Sequence, residues 1–413
     1  MAATKARAKP PEHPLEHRLL LTVTMCLLAA GAVMVYSASS ARDLLAGGGD
    51  GTGYLLRYVG FGAIGVVLML LLSRRGLDAV RRITPVLLVV SFVLLVAVLL
   101  PGVGVEVNGA RRWIGTGALG LQPSELAKLA LVLYAAELLG SKRRIRSIRT
   151  AGPVILIAGL MALLVAVEPD LGTALVIAGT TTAVLVAAGV PLRHLAVAAL
   201  VAAALVAVFA LLEPYRRARL TSFLDPWAHA GGAGFQSVQG QIALGSGGLF
   251  GVGLGQSVQK IFYLPEAHTD FILAVIGEEF GVLGVSVVLA LYGLLAWAGT
   301  RAARAAKGAY AKLLAAGLTA LILCQAALNI FAVLGLAPLT GVPLPFISYG
   351  PSNLVVLLAA MGLLLNIAAG GSAHMRVVRG GARRTASTSR SSGSSSSSGS
   401  SSSRPRRAGT GRP

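Results

Sequence analysis

Asp270 is the last acid of the run Leu-Pro-Glu-Ala-His-Thr-Asp-Phe, Leu264 to Phe271, just where a long apolar stretch begins. A carboxylate at the mouth of a membrane-length apolar segment is costly, so function is the first explanation to test. The chemistry such a group offers is proton transfer. The plainer alternative is capping: Thr and Asp favour helix N-termini, and Thr269 with Asp270 could simply start the next helix. Capping would not explain Glu278 and Glu279, eight and nine residues further on. They fall on the order of 12 Å deeper in the same helix. Adjacent acids inside a span need partners or water, so this helix is expected to line a polar cavity.

A second buried-charge candidate is Lys128, with Glu125 three residues earlier on the same helical face. Either the two satisfy each other, or Lys128 is a cation placed near an anionic substrate or near Asp270 itself. Arg111, Arg112 and Trp113 sit together in the run Asn108 to Gly115. Trp113 fits an aromatic membrane-interface anchor. The arginines suit an anionic headgroup or phosphate. Asp225, beside Arg216, Arg217 and Arg219, suits a loop-ordering ion pair.

Other chemistries are poorly supported. The Gly-rich segment Gly245 to Gly255 lacks the spacing of a phosphate-binding loop and follows no strand. It reads as a flexible or closely packed loop. No HExxH occurs, and the six histidines are scattered, against a zinc site. Cys26 and Cys324 both fall in apolar stretches and imply no disulfide framework.

The elements that must position these residues are apolar. The chain has 413 residues, 55% hydrophobic and 13% charged, with a mean hydropathy of +0.76. A soluble domain carries about a quarter charged residues. Apolar runs of roughly 20 residues each suffice to cross a bilayer core of about 30 Å. The expected spans are 19–39, 54–73, 83–101, 123–140, 151–168, 171–190, 194–213, 270–298, 313–337 and 352–370. The expected fold is all-α, a polytopic membrane protein of ten transmembrane helices.

Charge distribution sets the orientation. Loops 73–82, 141–150 and 299–312 hold four, five and four Lys/Arg, whereas 40–53 holds one and 338–351 none. By the positive-inside rule both termini are cytoplasmic. The long loops 102–122 and 214–269 are then extracytoplasmic, the second lying between spans 7 and 8, and Asp270 stands at the outer face. Aqueous ATP is an unsuitable energy source there. The formal net charge of +20 is no nucleic-acid signal, because nine arginines and no acids lie after Gly370 in a tail rich in Ser, Gly and Pro. That tail is expected to be disordered. The organisation is a basic N-terminus (1–18), a membrane domain (19–370) and a cytoplasmic tail (371–413).

Several motifs resemble the SEDS family (shape, elongation, division, sporulation), which includes FtsW and RodA. They are Tyr36 to Ser39, Asn108 to Gly115, Gln122 to Lys128, Glu168 to Thr173, Arg217 to Trp227, Gly251 to Gln256, Leu264 to Gly281 and Pro343 to Gly350. They run in family order, and the wording around Asp270 is more similar to the FtsW division and sporulation branch than to RodA. One motif departs: Pro351-Ser352-Asn353 stands where the family usually has Gly-Ser-Ser. Proline there either reshapes the turn or serves as a helix N1 residue.

The resemblance implies a peptidoglycan glycosyltransferase that polymerises lipid II at the outer face of the cytoplasmic membrane, for septal wall synthesis. Its catalytic aspartate corresponds to Asp270, the general base. Candidate cations for the diphosphate leaving group are Lys128, Arg111, Arg112, Arg216 and Lys260, and a divalent cation (Mg or Mn) could share that task. Glu125, Trp113, His268 and Ser348 are further candidates on the substrate side. The implied partner is a class B penicillin-binding protein, a transpeptidase, among other division proteins. Two alternatives stand beside this reading. One is a lipid II flippase using Lys128, Glu137, Glu278 and Glu279 as a polar path. The other is a division scaffold that recruits through the basic tail.

Overall fold

The computed structural model describes residues 14–45, 50–107, 110–115, 120–142, 148–197, 200, 222–232, 234–261, 263–264 and 266–370. The helices are α1 (Leu15–Leu45), α2 (Gly53–Arg74), α3 (Leu77–Leu99), α4 (Pro123–Gly140), α5 (Ile148–Val167), α6 (Leu171–Ala187), α7 (Phe235–Ser246), α8 (Ile272–Ala305), α9 (Ala309–Val333) and α10 (Pro351–Ala368). Seven of these (α1, α2, α3, α5, α8, α9 and α10) are long and apolar enough to cross a membrane. The chain is a multi-pass membrane protein. Helix α4 carries Glu125, Lys128 and Glu137, and α6 has 17 residues, which separates both from that group. The expected span 194–213 lies mostly outside the described residues, as do Arg216 and the tail after Gly370.

The all-helical expectation needs one correction. Strands β1 (Gly104–Val107) and β2 (Ala110–Ile114) form an antiparallel hairpin, with Val105 opposite Trp113 and Glu106 opposite Arg111. Val105, Val107, Trp113 and Ile114 supply the β-branched and aromatic character that a short ladder favours. An isolated bridge from Ile114 to Leu121 then leads the chain into α4.

Helices α10 and α9 are central: 83% and 67% of their apolar windows are buried, against 22% for α2 and α3. Lipid offers no hydrophobic drive between helices, so close backbone approach must supply packing. Helices α2 and α10 show how. A Cβ on Gly362 would lie 2.5 Å from the Met69 carbonyl oxygen, so glycine there lets the two backbones touch. The other face of the bundle is apolar and exposed: Val86, Val89, Val93 and Val96 make a stripe along α3 that suits lipid tails.

Helix α8 is broken. Gly281 has φ 65° and ψ −160° inside it, a conformation that L side chains avoid. The backbone groups around the break are satisfied by the glycine-rich segment. Val252 and Gly253 N–H donate to the Glu278 and Glu279 carbonyls (2.9 and 3.0 Å), while Val282 and Leu283 N–H donate to Gly248 and Leu249 (3.0 and 3.2 Å). Irregular backbone among spans is tolerated only with such partners. The segment Gly245 to Gly255 is therefore a closely packed clamp on α8.

Candidate functional site

Two turns meet above the broken half of α8. The first, Glu266 to Asp270, holds Glu266 at φ 57°; the second, within Pro343 to Gly350, holds Phe346 at φ 64°. Left-handed conformations are costly for residues with a Cβ, and such strain clusters at functional sites. Surrounding bonds hold the second turn. Tyr292 Oη donates to Pro345 O (2.5 Å), Tyr58 Oη donates to Phe346 O, and Ser348 Oγ accepts from Leu344 N (2.8 Å). Tyr349 N–H donates to His268 O (2.9 Å) and ties the two turns together.

Asp270 lies two residues before α8, whose N-cap is Phe271 without a side-chain capping bond. The N-cap position thus falls to Phe271, one residue beyond the Thr269–Asp270 pair that could have started the helix. Asp270 is partly exposed. Thr269 Oγ1 sits 3.2 Å from Asp270 Oδ1 and 3.3 Å from Glu266 Oε2, between two carboxylates. Asn329 Nδ2 donates to the Asp270 carbonyl (2.7 Å) and to the Val342 carbonyl (2.8 Å), fixing the aspartate's backbone to the loop after α9. A small cavity walled by Asn329, Val333, Thr340 and Gly341 opens beside it.

Lys128 does not reach for Asp270. Its Nζ contacts Glu125 Oε1 and Oε2 at 2.9 Å each, and Gln325 Oε1 at 2.9 Å. The pair is almost wholly buried, with Lys128 2% and Glu125 1% exposed. Gln325 and Asn329 stand four residues apart on α9, on one face. Gln325 passes its second contact to Pro343 O (3.1 Å), so α9 links the Lys128–Glu125 pair to the loop that bears on Asp270. Neither amide stood out in the sequence. Their only signal was two carboxamides at i, i+4 in an apolar helix.

The deeper acids depart from the expectation of an open polar cavity: among the described residues both are closed by partners, and neither lines the cavity beside Asp270. Glu279 accepts from Lys260 Nζ (2.7 Å) and Ser37 Oγ (2.7 Å). Glu278 accepts from Ser257 Oγ (2.5 Å) and Val258 N (2.9 Å). Lys260 is buried with Glu279, inside the packing that holds α8 to α1 and to the 257–260 turn.

The hairpin supplies the remaining expected residues. Arg111 is exposed and pairs with Glu106 (3.3 Å). Arg112 donates through Nε to Glu168 O (3.1 Å) and through Nη2 to Pro169 O, so it braces the turn before α6. Trp113 is half-buried in β2. In that turn Asp170 caps α6 through Thr173 N (3.0 Å) and accepts from Gln122 Nε2 (3.2 Å). Glu168 is buried with both carboxylate oxygens unpaired among the described residues. Burial, and then the Asp170 carboxylate, push its pKa up to about 8, against a smaller pull from Arg112.

His268 and Ser348 are buried at the junction of the two turns. The His268 ring lies 4.3 Å from Tyr54 and 5.6 Å from Tyr349, and Tyr54 and Tyr349 meet edge-on at 5.0 Å. Burial raises the Tyr349 pKa, and Arg57 beside its hydroxyl opposes the shift. Pro351 is the first residue of α10, and Ser352 Oγ donates to Gly120 O (2.9 Å) and accepts from Gln122 N (3.2 Å). The departure at 351–353 thus acts as a helix start and keeps a serine that ties α10 to the hairpin connection.

Residues 17–372 match the model of the cell cycle protein family of FtsW, RodA and SpoVE. The chain is 42% identical to stage V sporulation protein E of Bacillus subtilis over 352 residues, 84% of this chain and 96% of that protein. It is 44% identical to the probable peptidoglycan glycosyltransferase FtsW of Alkalilimnicola ehrlichii over 360 residues, 86% of this chain and 89% of that one. Among solved structures, it is similar to a chain from a study of structural coordination of polymerization and crosslinking by a peptidoglycan synthase complex. That match has a TM-score of 0.70 and 32% identity, covering 84% of this chain and 96% of the other. The rod shape determining protein RodA of Thermus thermophilus gives a TM-score of 0.62 at 31% identity, over 84% and 95% of the two chains.

Proposed function

This chain belongs to the FtsW, RodA and SpoVE family of cell cycle proteins, and from that premise we propose that it polymerises lipid II with Asp270 as general base. The observation that carries this reading is the placing of Asp270. It is a partly exposed carboxylate at the head of a membrane helix, held by Asn329 and bordered by two strained turns. In the reaction the 4-hydroxyl of one sugar attacks the anomeric carbon of a lipid-diphosphate sugar with inversion. The new C–O bond forms as the bond to the diphosphate breaks. Asp270 takes the hydroxyl proton, and the diphosphate departs without a protonating acid because it is already a stable anion.

Cations offset the charge that grows on the leaving diphosphate. Arg111 and Arg57, both exposed, are the members of the outer surface best suited to that work. Lys128 and Lys260 are engaged by Glu125 and Glu279 and act first as structural charges. Arg216 remains a candidate outside the described residues. Among the described residues no group of three His, Cys, Asp or Glu side chains could hold a metal ion.

The same reading includes ten spans, cytoplasmic termini, a large extracytoplasmic loop between spans 7 and 8, and a tail at 371–413 that tethers rather than catalyses. The partner is a class B penicillin-binding protein, and the site of action is the division septum. A flippase needs a polar path through the bilayer; Lys128, Glu278 and Glu279 are each closed on neighbours instead. The test is polymerisation in detergent, where there is no bilayer to cross. Purified protein with its transpeptidase partner and lipid II should yield glycan strands. Lipid II left unpolymerised under those conditions would overturn the reading.

A further inference from the structure

We propose that the groove between the start of α1 and the end of α8 binds the headgroup of an anionic phospholipid in the cytoplasmic leaflet. Its walls are Glu16, Trp297, Thr300, Arg301, Arg304 and Ala305. The inference goes beyond lipid II polymerisation and uses none of the residues at Asp270. It shares with that reading only the orientation set by the basic loops.

The groove lies at headgroup depth. Between Asp270 and Trp297 the chain runs as two helical pieces on either side of the Gly281 break, about 13 Å and 24 Å long at 1.5 Å per residue. The hydrocarbon core measures roughly 30 Å. If Asp270 marks one interface, Trp297 marks the other, where its half-exposed indole (42%) suits the aromatic belt. The loop 299–312 that follows carries Arg301, Arg304, Lys307 and Lys312 and no acid.

The side chains are arranged for a phosphodiester. Arg301 Nε is held by Glu16 Oε1 at 2.9 Å, and its guanidinium stacks over Trp297 with 4.9 Å to the ring centroid. That fixes the guanidinium plane while its side chain stays 52% exposed, with N–H groups still open to solvent. Arg304 lies one turn further on the same face and has no hydrogen bond or ion pair among the described residues. Thr300 Oγ1 donates back to the Ala296 and Trp297 carbonyls (2.8 and 3.0 Å), which occupies its one hydrogen and leaves the arginines as the donors to a phosphate. One acid against two arginines leaves the groove cationic. Trp297 and Ala305 provide an apolar wall for the glycerol and first methylenes. A basic pocket between helices at the cytoplasmic side is the recurring form of an anionic-lipid site.

The experiment uses the full chain in detergent with Trp113→Phe and Trp227→Phe, leaving Trp297 as the single fluorophore among the three tryptophans. Phosphatidylglycerol brominated on its acyl chains should quench Trp297 at a lower concentration than brominated phosphatidylcholine, by fivefold or more. Arg304→Gln should shift the phosphatidylglycerol curve about fivefold, the worth of one arginine near an anionic surface. Arg301→Gln should shift it further. Arg304→Gln breaks no described contact, so its result stands even if loss of the Arg301–Glu16 pair disturbs folding. Equal quenching by the two lipids, or an Arg304→Gln curve lying on the parent's, would overturn the proposal. Displacement of the quencher by inorganic phosphate would also overturn it, since the groove would then be a general anion site.

Discussion

Asn329 holds the carbonyls of Asp270 and Val342 with one amide nitrogen, at 2.7 and 2.8 Å. Its role in the proposed reaction is to position, so its loss should act on turnover more than on binding. Asn329→Ala should lower kcat about 100-fold, the scale expected when a reacting group shifts by about an ångström, with KM little changed. A steady-state assay with lipid II separates the two; a rise in KM at constant kcat would place Asn329 in substrate binding. Lys128 and Glu125 predict a different pattern. Removing either partner leaves a buried charge unpaired, at a cost of about 3–5 kcal/mol. Lys128→Met alone should lower the melting temperature, and adding Glu125→Gln should restore most of it. If the double variant is stable yet inactive, Lys128 also serves the substrate. The sequence singled out Asp270, Glu125 and Lys128, because a charge in an apolar run is conspicuous. It did not reveal that Lys128 turns to Gln325, because a neutral amide in such a run costs little and carries little signal.

The helices were legible from hydropathy at the scale of elements, but three features of the site were not. The hairpin at 104–114 has strands of four and five residues, too short for alternation to stand out. The break at Gly281 sits in a run that reads as continuous apolar helix, and only the clamp from Gly248 to Gly253 explains it. The satisfaction of Glu278 and Glu279 by Ser257 and Lys260 spans about 20 residues and depends on that clamp, so spacing along the chain could not show it. The clamp yields a prediction. A Cβ on Gly281 would lie 2.5 Å from the Leu249 backbone at a φ of +65°, and the left-handed conformation adds about 1–2 kcal/mol. Gly281→Ala should therefore lower the melting temperature of the purified protein and its yield from the membrane. An unchanged melting temperature would mean that α8 can straighten without loss.

Across the whole molecule, polar chemistry is divided between two ends of an apolar bundle. At one end Asp270, the two strained turns, the hairpin and the half-exposed tyrosines form a surface suited to a charged lipid-linked sugar. At the other, Arg301, Arg304 and Trp297 form a basic rim. Between them Lys128, Glu125, Lys260, Glu278 and Glu279 are closed on partners within the bundle, which fits a catalyst working at one face better than a conduit. The proposed orientation rests on the basic loops, since positive charge marks a side of the membrane whatever the fold. The most direct test replaces Asp270 by Asn, an isostere that keeps the shape and removes the base. With lipid II and the transpeptidase partner in detergent, the parent should build glycan strands, and Asp270→Asn should build none while melting at the parent's temperature. Strands made by Asp270→Asn at the parent's rate would contradict Asp270 as the base.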